Sequence, residues 1–121
     1  MRLKYFKAKE FKCPCCGKSE MDGEFMEMLD KARGFAGIPF KINSGWRCED
    51  RNKVVCGKSD SAHLSGFAVD ISCKDSRSRA LIIEALAWIG FNRFGIAGKY
   101  SGNFIHVDNH PTKDKVVIWL Y

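Results

Sequence analysis

In "SAHLSGFAVDIS", Ser61 to Ser72, His63 and Asp70 stand seven positions apart in a stretch that otherwise wants to be buried. A second segment, "NFIHVD", carries His106 and Asp108. Imidazole nitrogens and carboxylate oxygens are ligands for a divalent ion, and two histidines with one carboxylate make a common catalytic zinc set that leaves a fourth position for water. Side chains alternate along a strand, so His106 and Asp108 share one face, and Asp70 faces away from Val69 and Ile71. If the two strands are neighbours, His63, Asp70 and His106 converge. Taken singly, each has a plainer reading: a histidine satisfied within a core, an aspartate serving as cap or turn, a short motif recurring by chance.

The elements that must position these residues are legible from periodicity. In "DGEFMEMLDKARGFAG", Phe25, Met28, Leu29, Ala32 and Phe35 recur at helical spacing, which predicts a core-packing helix capped by Asp22 and stopped by Gly37. A short strand is expected over Phe40–Asn43, followed by a Ser-Gly turn. Residues 48–62 read as a polar loop with room for a helical turn, a length at which loops are usually functional or disordered. "GFAVDIS" alternates as a strand. "DSRSRALIIEALAWIGF" predicts a second helix, capped near Asp75 or Ser76, ended by Gly90 and well buried because most of its girth is apolar. "RFGIAG", "NFIHVD" and "VVIWLY" are closing strands. The order predicts one α+β domain over residues 1–121, with helices packed on an antiparallel sheet.

The chain has 121 residues, 45% hydrophobic and 28% charged, with a formal net charge of +6. That length suits one modest core, and the charge favours anionic partners. Basic residues are scattered and interleave with no aromatic ladder, so no nucleic-acid partner is expected. No apolar run approaches the ~20 residues of a membrane span, and the first residues lack the apolar core of a signal peptide. Of six cysteines, three crowd into "CPCCG" as Cys13, Cys15 and Cys16, while Cys48, Cys56 and Cys73 are dispersed. Reduced thiols are the expectation without a leader. Cys13 and Cys16 have C-x-x-C spacing and a following Gly17, which suits a zinc knuckle, but no second C-x-x-C or H-x-x-H pair completes one.

"SAHLSGFAVD" resembles the S-x-H-x-x-G-x-A-x-D motif of the zinc D-Ala-D-Ala carboxypeptidase family, peptidoglycan metallopeptidases that share the hedgehog-like fold. Ser61, His63, Gly66, Ala68 and Asp70 fill every specified position. "INSGWRCEDRN" is similar to that family's S-G-[YW]-R segment, "NFIHVD" to its closing strand, and "YFKAKEFKCPCCG" to the lead-in of its small members. The resemblance covers most of the chain. It implies Zn2+ held by His63, Asp70 and His106, with Arg47 on the substrate carbonyl or the developing oxyanion. Ser61 would orient a ligand or the loop, and Gly66 and Ala68 would keep bulk away from the metal. Many members place an acid three residues before the last histidine, where this chain has Asn103. Asp108 is therefore the expected general base, with His110 as a second candidate; an exchange of roles, Asp108 as ligand and His106 as helper, also stays open.

The resemblance implies a zinc peptidase that cuts the peptide stem of peptidoglycan, as a D-Ala-D-Ala carboxypeptidase or murein endopeptidase. A monomer is assumed, made in the cytoplasm and acting on the cell wall after phage-type release or non-classical export. The alternatives are a non-catalytic zinc module for wall recognition or phage structure, and a nucleic-acid-binding zinc protein built on "CPCCG", against which the lone C-x-x-C argues.

Overall fold

In a computed structural model describing residues 3–55 and 57–121, a 3-10 turn (Ala8–Phe11) leads into helix α1 (Gly23–Ala36) and strand β1 (Ile42–Ser44). Helix α2 (Glu49–Val54), strand β2 (Ala68–Ser72) and helix α3 (Ser76–Ile89) follow. Strands β3 (Arg93–Ala97), β4 (Phe104–Asp108) and β5 (Val117–Leu120) close the chain. Cys56 lies outside the described residues.

Local chemistry sets the helix ends. The Asp22 carboxylate accepts from the Phe25 N–H at 2.9 Å, and the Asp75 carboxylate accepts from the Ser78 N–H at 2.9 Å, each satisfying an orphan donor of the first turn. Gly37, at φ 72°, ends α1 in the left-handed conformation that glycine adopts without a steric cost. Asp30, buried on α1, accepts from the backbone N–H groups of Lys4 and Tyr5 and ties down the lead-in.

The five strands form one sheet in the order β1-β2-β4-β3-β5. Its pairs are antiparallel apart from β3–β5, which is parallel. Val69, Ile71, Phe94, Ile105 and Val107 pack with Phe25, Leu29, Ile82 and Leu86 into one apolar core under α1 and α3. Because side chains alternate, Asp70, His106 and Asp108 stand on the opposite face. Burying each large apolar side chain contributes about 1.5–3 kcal/mol, and that gain holds the strands in the register which the polar face needs.

Four local expectations shift. The first strand begins at Ile42, not Phe40, and Phe40 is buried in the core. The helical turn allowed for in the 48–62 loop is longer than one turn and forms α2 over residues 49–54. Phe35 is half exposed and stacks on Trp88 at 5.7 Å between ring centroids. Helix α3 is not buried all round: Trp88 is 73% exposed, because only the side bearing Ile82, Ala85 and Leu86 meets the core.

Gly66 was expected to keep bulk off the metal, but its constraint lies elsewhere. It sits at φ 80°, and a Cβ there would come within 2.1 Å of the Glu20 carbonyl oxygen. The Gly66 carbonyl also accepts from the Asp22 N–H at 3.0 Å, so the glycine lets the loop before β2 press on the entry to α1. Gly66→Ala is expected to cost roughly 2–4 kcal/mol through left-handed strain and displacement of backbone. Urea unfolding reads this directly, and an unchanged midpoint would contradict it.

Candidate metal centre

One row of residues crosses all five strands. Ser44 on β1 faces Asp70 on β2, Asp70 faces His106 on β4, His106 faces Gly95 on β3, and Gly95 faces Trp119 on β5. Directly opposed side chains in an antiparallel pair have Cβ atoms about 4.5–5.5 Å apart, so Asp70 and His106 meet because β2 and β4 pair. The register irregularity in β1 between Ile42 and Ser44 is the kind of bulge that re-aims side chains beside a site.

His63 reaches the row from the loop before β2. Its Nδ1 lies 2.8 Å from the Gly45 carbonyl oxygen, which can only accept, so Nδ1 carries the proton and Nε2 presents a lone pair. That Nε2 is 3.2 Å from Asp70 Oδ1 and 3.3 Å from His106 Nδ1. His106 donates from Nε2 to Asp108 Oδ2 at 2.7 Å, which turns its Nδ1 toward Asp70 Oδ1 at 3.0 Å. Three acceptor atoms thus form a triangle with sides of 3.0–3.3 Å. Ligands ~2.0–2.1 Å from a tetrahedral zinc lie roughly 3.3 Å from one another. The donor set fits such an ion, since acceptors this close need a cation or a proton between them.

His63, Asp70 and His106 are 2%, 8% and 7% exposed and sit on the floor of a cavity of about 880 Å³. Burial disfavours charge on Asp70, but the imidazoles of His106 and His63 beside it hold its carboxyl well below the usual range. Burial likewise opposes a charged His106, yet its contacts with Asp108 and Asp70 raise its pKa above the ordinary value.

Arg47 is spread over three acceptors: Ser44 Oγ at 3.1 Å, Asn52 Oδ1 at 3.1 Å and Asp70 Oδ2 at 3.3 Å. Among the described residues its ion pair is with Asp70, not with Glu49 or Asp50. Helix α2 supplies Asn52, whose Nδ2 donates to the Lys58 carbonyl at 2.8 Å. Ser61 lines the cavity, and its Oγ accepts from the His63 N–H at 3.3 Å, shaping the loop that carries the histidine.

Asp108 is engaged on both oxygens. Oδ2 takes the His106 Nε2 proton, while Oδ1 accepts from Arg93 Nε at 2.7 Å and from the His110 N–H at 3.2 Å. Although burial opposes its charge, these contacts bring its pKa down to about 2. The three atoms that meet belong to His63, Asp70 and His106, whereas Asp108 lies on the far side of the His106 ring, on Nε2. His110 does not line the cavity; its Nδ1 is taken by Thr112. Asn103 is a turn residue at φ 52°, a left-handed conformation that asparagine tolerates, and it too is absent from the cavity wall.

Sequence reasoning missed Arg93, Trp119 and Gly95. Trp119 lies over the row, 5.4 Å from the His106 ring and 5.1 Å from the Arg93 guanidinium. Gly95 leaves room for it, since a Cβ there would stand 2.5 Å from Trp119 Nε1. The glycine in "RFGIAG" opposite a histidine strand was the available signal.

A family model described as Peptidase M15 matches residues 4–108. No curated protein matches the chain.

The metal-free centre should respond to pH in two directions. The raised His106 pKa contributes stability that is full below about 6.5 and is lost as pH rises through the folded value, while Asp70 and Asp108 contribute above about 4 and lose it on acidification. Metal-free protein is therefore expected to melt highest between ~4 and ~6.5. A zinc ion held by His106 would compete with its proton, so apparent zinc affinity is expected to fall up to about tenfold per pH unit below the His106 pKa. Melting curves and zinc titrations across pH check both; an affinity flat through this range would contradict the proton's place.

Proposed function

The chain belongs to the peptidase M15 family, and from that premise we propose that it is a zinc-dependent peptidase acting on the peptide stem of peptidoglycan. The observation that carries the reading is the triangle of His63 Nε2, Asp70 Oδ1 and His106 Nδ1 on the floor of an open cavity. When bound there, zinc would supply Lewis acidity toward the scissile carbonyl and lower the pKa of water toward neutrality.

The chain's own groups account for the rest. Arg47, pre-aligned by Ser44 and Asn52, stands beside Asp70 and holds the carbonyl oxygen as negative charge develops on it. Arg51, Lys58 and Lys113 also line the cavity and suit the free carboxylates of a stem peptide. Trp119 and Tyr121 give one wall an aromatic face for small apolar side chains. Asp108 departs from the expected role. A carboxylate near 2 that already holds Arg93 and His106 has little basicity at neutral pH, so we assign it to orienting His106, the part carboxylates commonly play behind a metal-ligating imidazole.

A second reading is favoured by one observation. Among the described residues, Asp70 and Asp108 are the carboxylates that line the cavity, and both are engaged. A zinc module that binds the wall without cutting it would look the same. Incubation with purified peptidoglycan, with and without chelator, separates the two: new amine termini that vanish with chelator support the peptidase, and bound but uncut substrate supports the module.

Asp108→Asn should lower zinc affinity by about 10–100-fold, with activity returning as zinc is raised. A loss of about 10²–10⁴ in kcat that persists at saturating zinc would instead make Asp108 the general base. Arg47→Ala should keep its zinc and lose about 10²–10³ in kcat. His63→Ala should lose both bound zinc at this centre and cleavage, and a variant cutting at the wild-type rate would refute the assignment.

A further inference from the structure

The second cluster of metal-type ligands lies outside the histidine centre. Cys13, Cys15 and Cys16 come from the knuckle before α1, and Cys48 comes from the N-terminus of α2, 35 positions beyond Cys13. Their four sulfur atoms all lie within 4.8 Å of one another. Cys15 Sγ and Cys48 Sγ are 3.0 Å apart, and Cys13 Sγ is 3.5 Å from each. Four thiolates around a tetrahedral zinc, at Zn–S ~2.3 Å, lie roughly 3.8 Å from one another. Convergence of all four on one point is more than a disulfide requires, since a disulfide needs only a pair.

The backbone around the sulfurs is arranged for negative charge. The backbone N–H groups of Cys48, Cys16 and Cys15 face the Cys13 sulfur. The Lys18 N–H points to Cys16, and the Arg51 N–H donates to Cys48 Sγ at 3.4 Å. The knuckle itself is tight: Gly17, at φ 71°, donates to the Cys13 carbonyl at 2.8 Å, and Cys13 donates to the Lys18 carbonyl at 2.7 Å.

We propose that Cys13, Cys15, Cys16 and Cys48 form a closed tetrathiolate site for a zinc-class divalent cation, distinct from the His63–Asp70–His106 centre. All four positions are filled by protein, which makes the site structural, and all-sulfur tetrahedral ligation selects zinc or iron over harder cations. The ion joins the lead-in to α2. Cys48 caps that helix through Arg51, the helix carries Asn52, and Asn52 holds Arg47 over Asp70. Pro14, inside the knuckle, lines the same cavity. The second ion would therefore brace the cavity rim without taking part in chemistry there.

The site does not depend on the peptidase reading, and the test lets the two fail separately. Full-length wild-type protein, reconstituted with Zn2+ under reducing conditions, is expected to bind about two equivalents. His63→Ala and the double variant Cys15→Ser/Cys16→Ser are each expected to bind about one. Loaded with Co2+, wild type and His63→Ala should show intense sulfur-to-cobalt charge-transfer absorption, which a centre of two imidazoles and a carboxylate cannot produce. The wild-type spectrum keeps the proposal testable even if a variant fails to fold. Absence of that absorption in Co2+-loaded wild type would overturn the site. So would an intact mass lower by about 2 or 4 Da in protein purified without reductant, with the mass loss mapped to these cysteines as disulfides.

Discussion

The pairing of Asp70 with His106 across β2 and β4 is the constraint on which the rest depends. It is a backbone fact first. The ladder from Ala68↔Asp108 to Ser72↔Phe104 fixes which side chains oppose one another, and the apolar side chains beneath fix which face each takes. A slip of one residue would bring Val69 and Ile71 to the polar face and bury Asp70 among phenylalanines, at a cost of several kcal/mol. The apolar core therefore guards the centre against any slip by an odd number of residues.

Around that pair the structure assembles partners that each settle one degree of freedom. Gly45 fixes the tautomer of His63, and Asp108 fixes that of His106. Arg93 neutralises Asp108, and Trp119 covers Arg93. Arg47 bridges Ser44, Asn52 and Asp70. The "NSGWR" segment works as a frame as well as a source of Arg47: the Trp46 ring N–H donates to the Leu64 carbonyl at 3.0 Å, and the Arg47 N–H donates to the His63 carbonyl at 3.2 Å. The three atoms that face one another there lie 3.0–3.3 Å apart, a spacing that suits one shared cation. Among the described residues no helix is long and apolar enough to cross a membrane.

Much of this was legible in the sequence where the signal is local. Asp22, Gly37, Asp75 and Gly90 bound the two long helices as their chemistry predicts, and alternation placed Asp70 opposite Val69 and Ile71. The convergence of His63, Asp70 and His106 was legible through resemblance, because two histidines and an aspartate carry no neighbourhood signal of their own. What stayed hidden depends on separation along the chain. Nothing near Cys13 announces Cys48, and nothing near Asp108 announces Arg93, since only strand pairing brings β3 beside β4. The acidic side chain in "HVD" therefore showed no partner in the sequence, although Arg93 lies 15 positions upstream. Phe35 and Trp88 misled in the opposite way: their apolar character predicts burial, but the sheet offers α1 and α3 one face each, and these two rings were left outside with each other.

Anomalous diffraction at the zinc edge from crystals of the zinc-loaded protein tests the central claim most directly. The account predicts a peak on the cavity floor about 2.0–2.1 Å from His63 Nε2, Asp70 Oδ1 and His106 Nδ1, with Asp108 still bonded to the far nitrogen of His106. A fully loaded crystal with no peak between those atoms, or with zinc on the Nε2 side of His106, would contradict it.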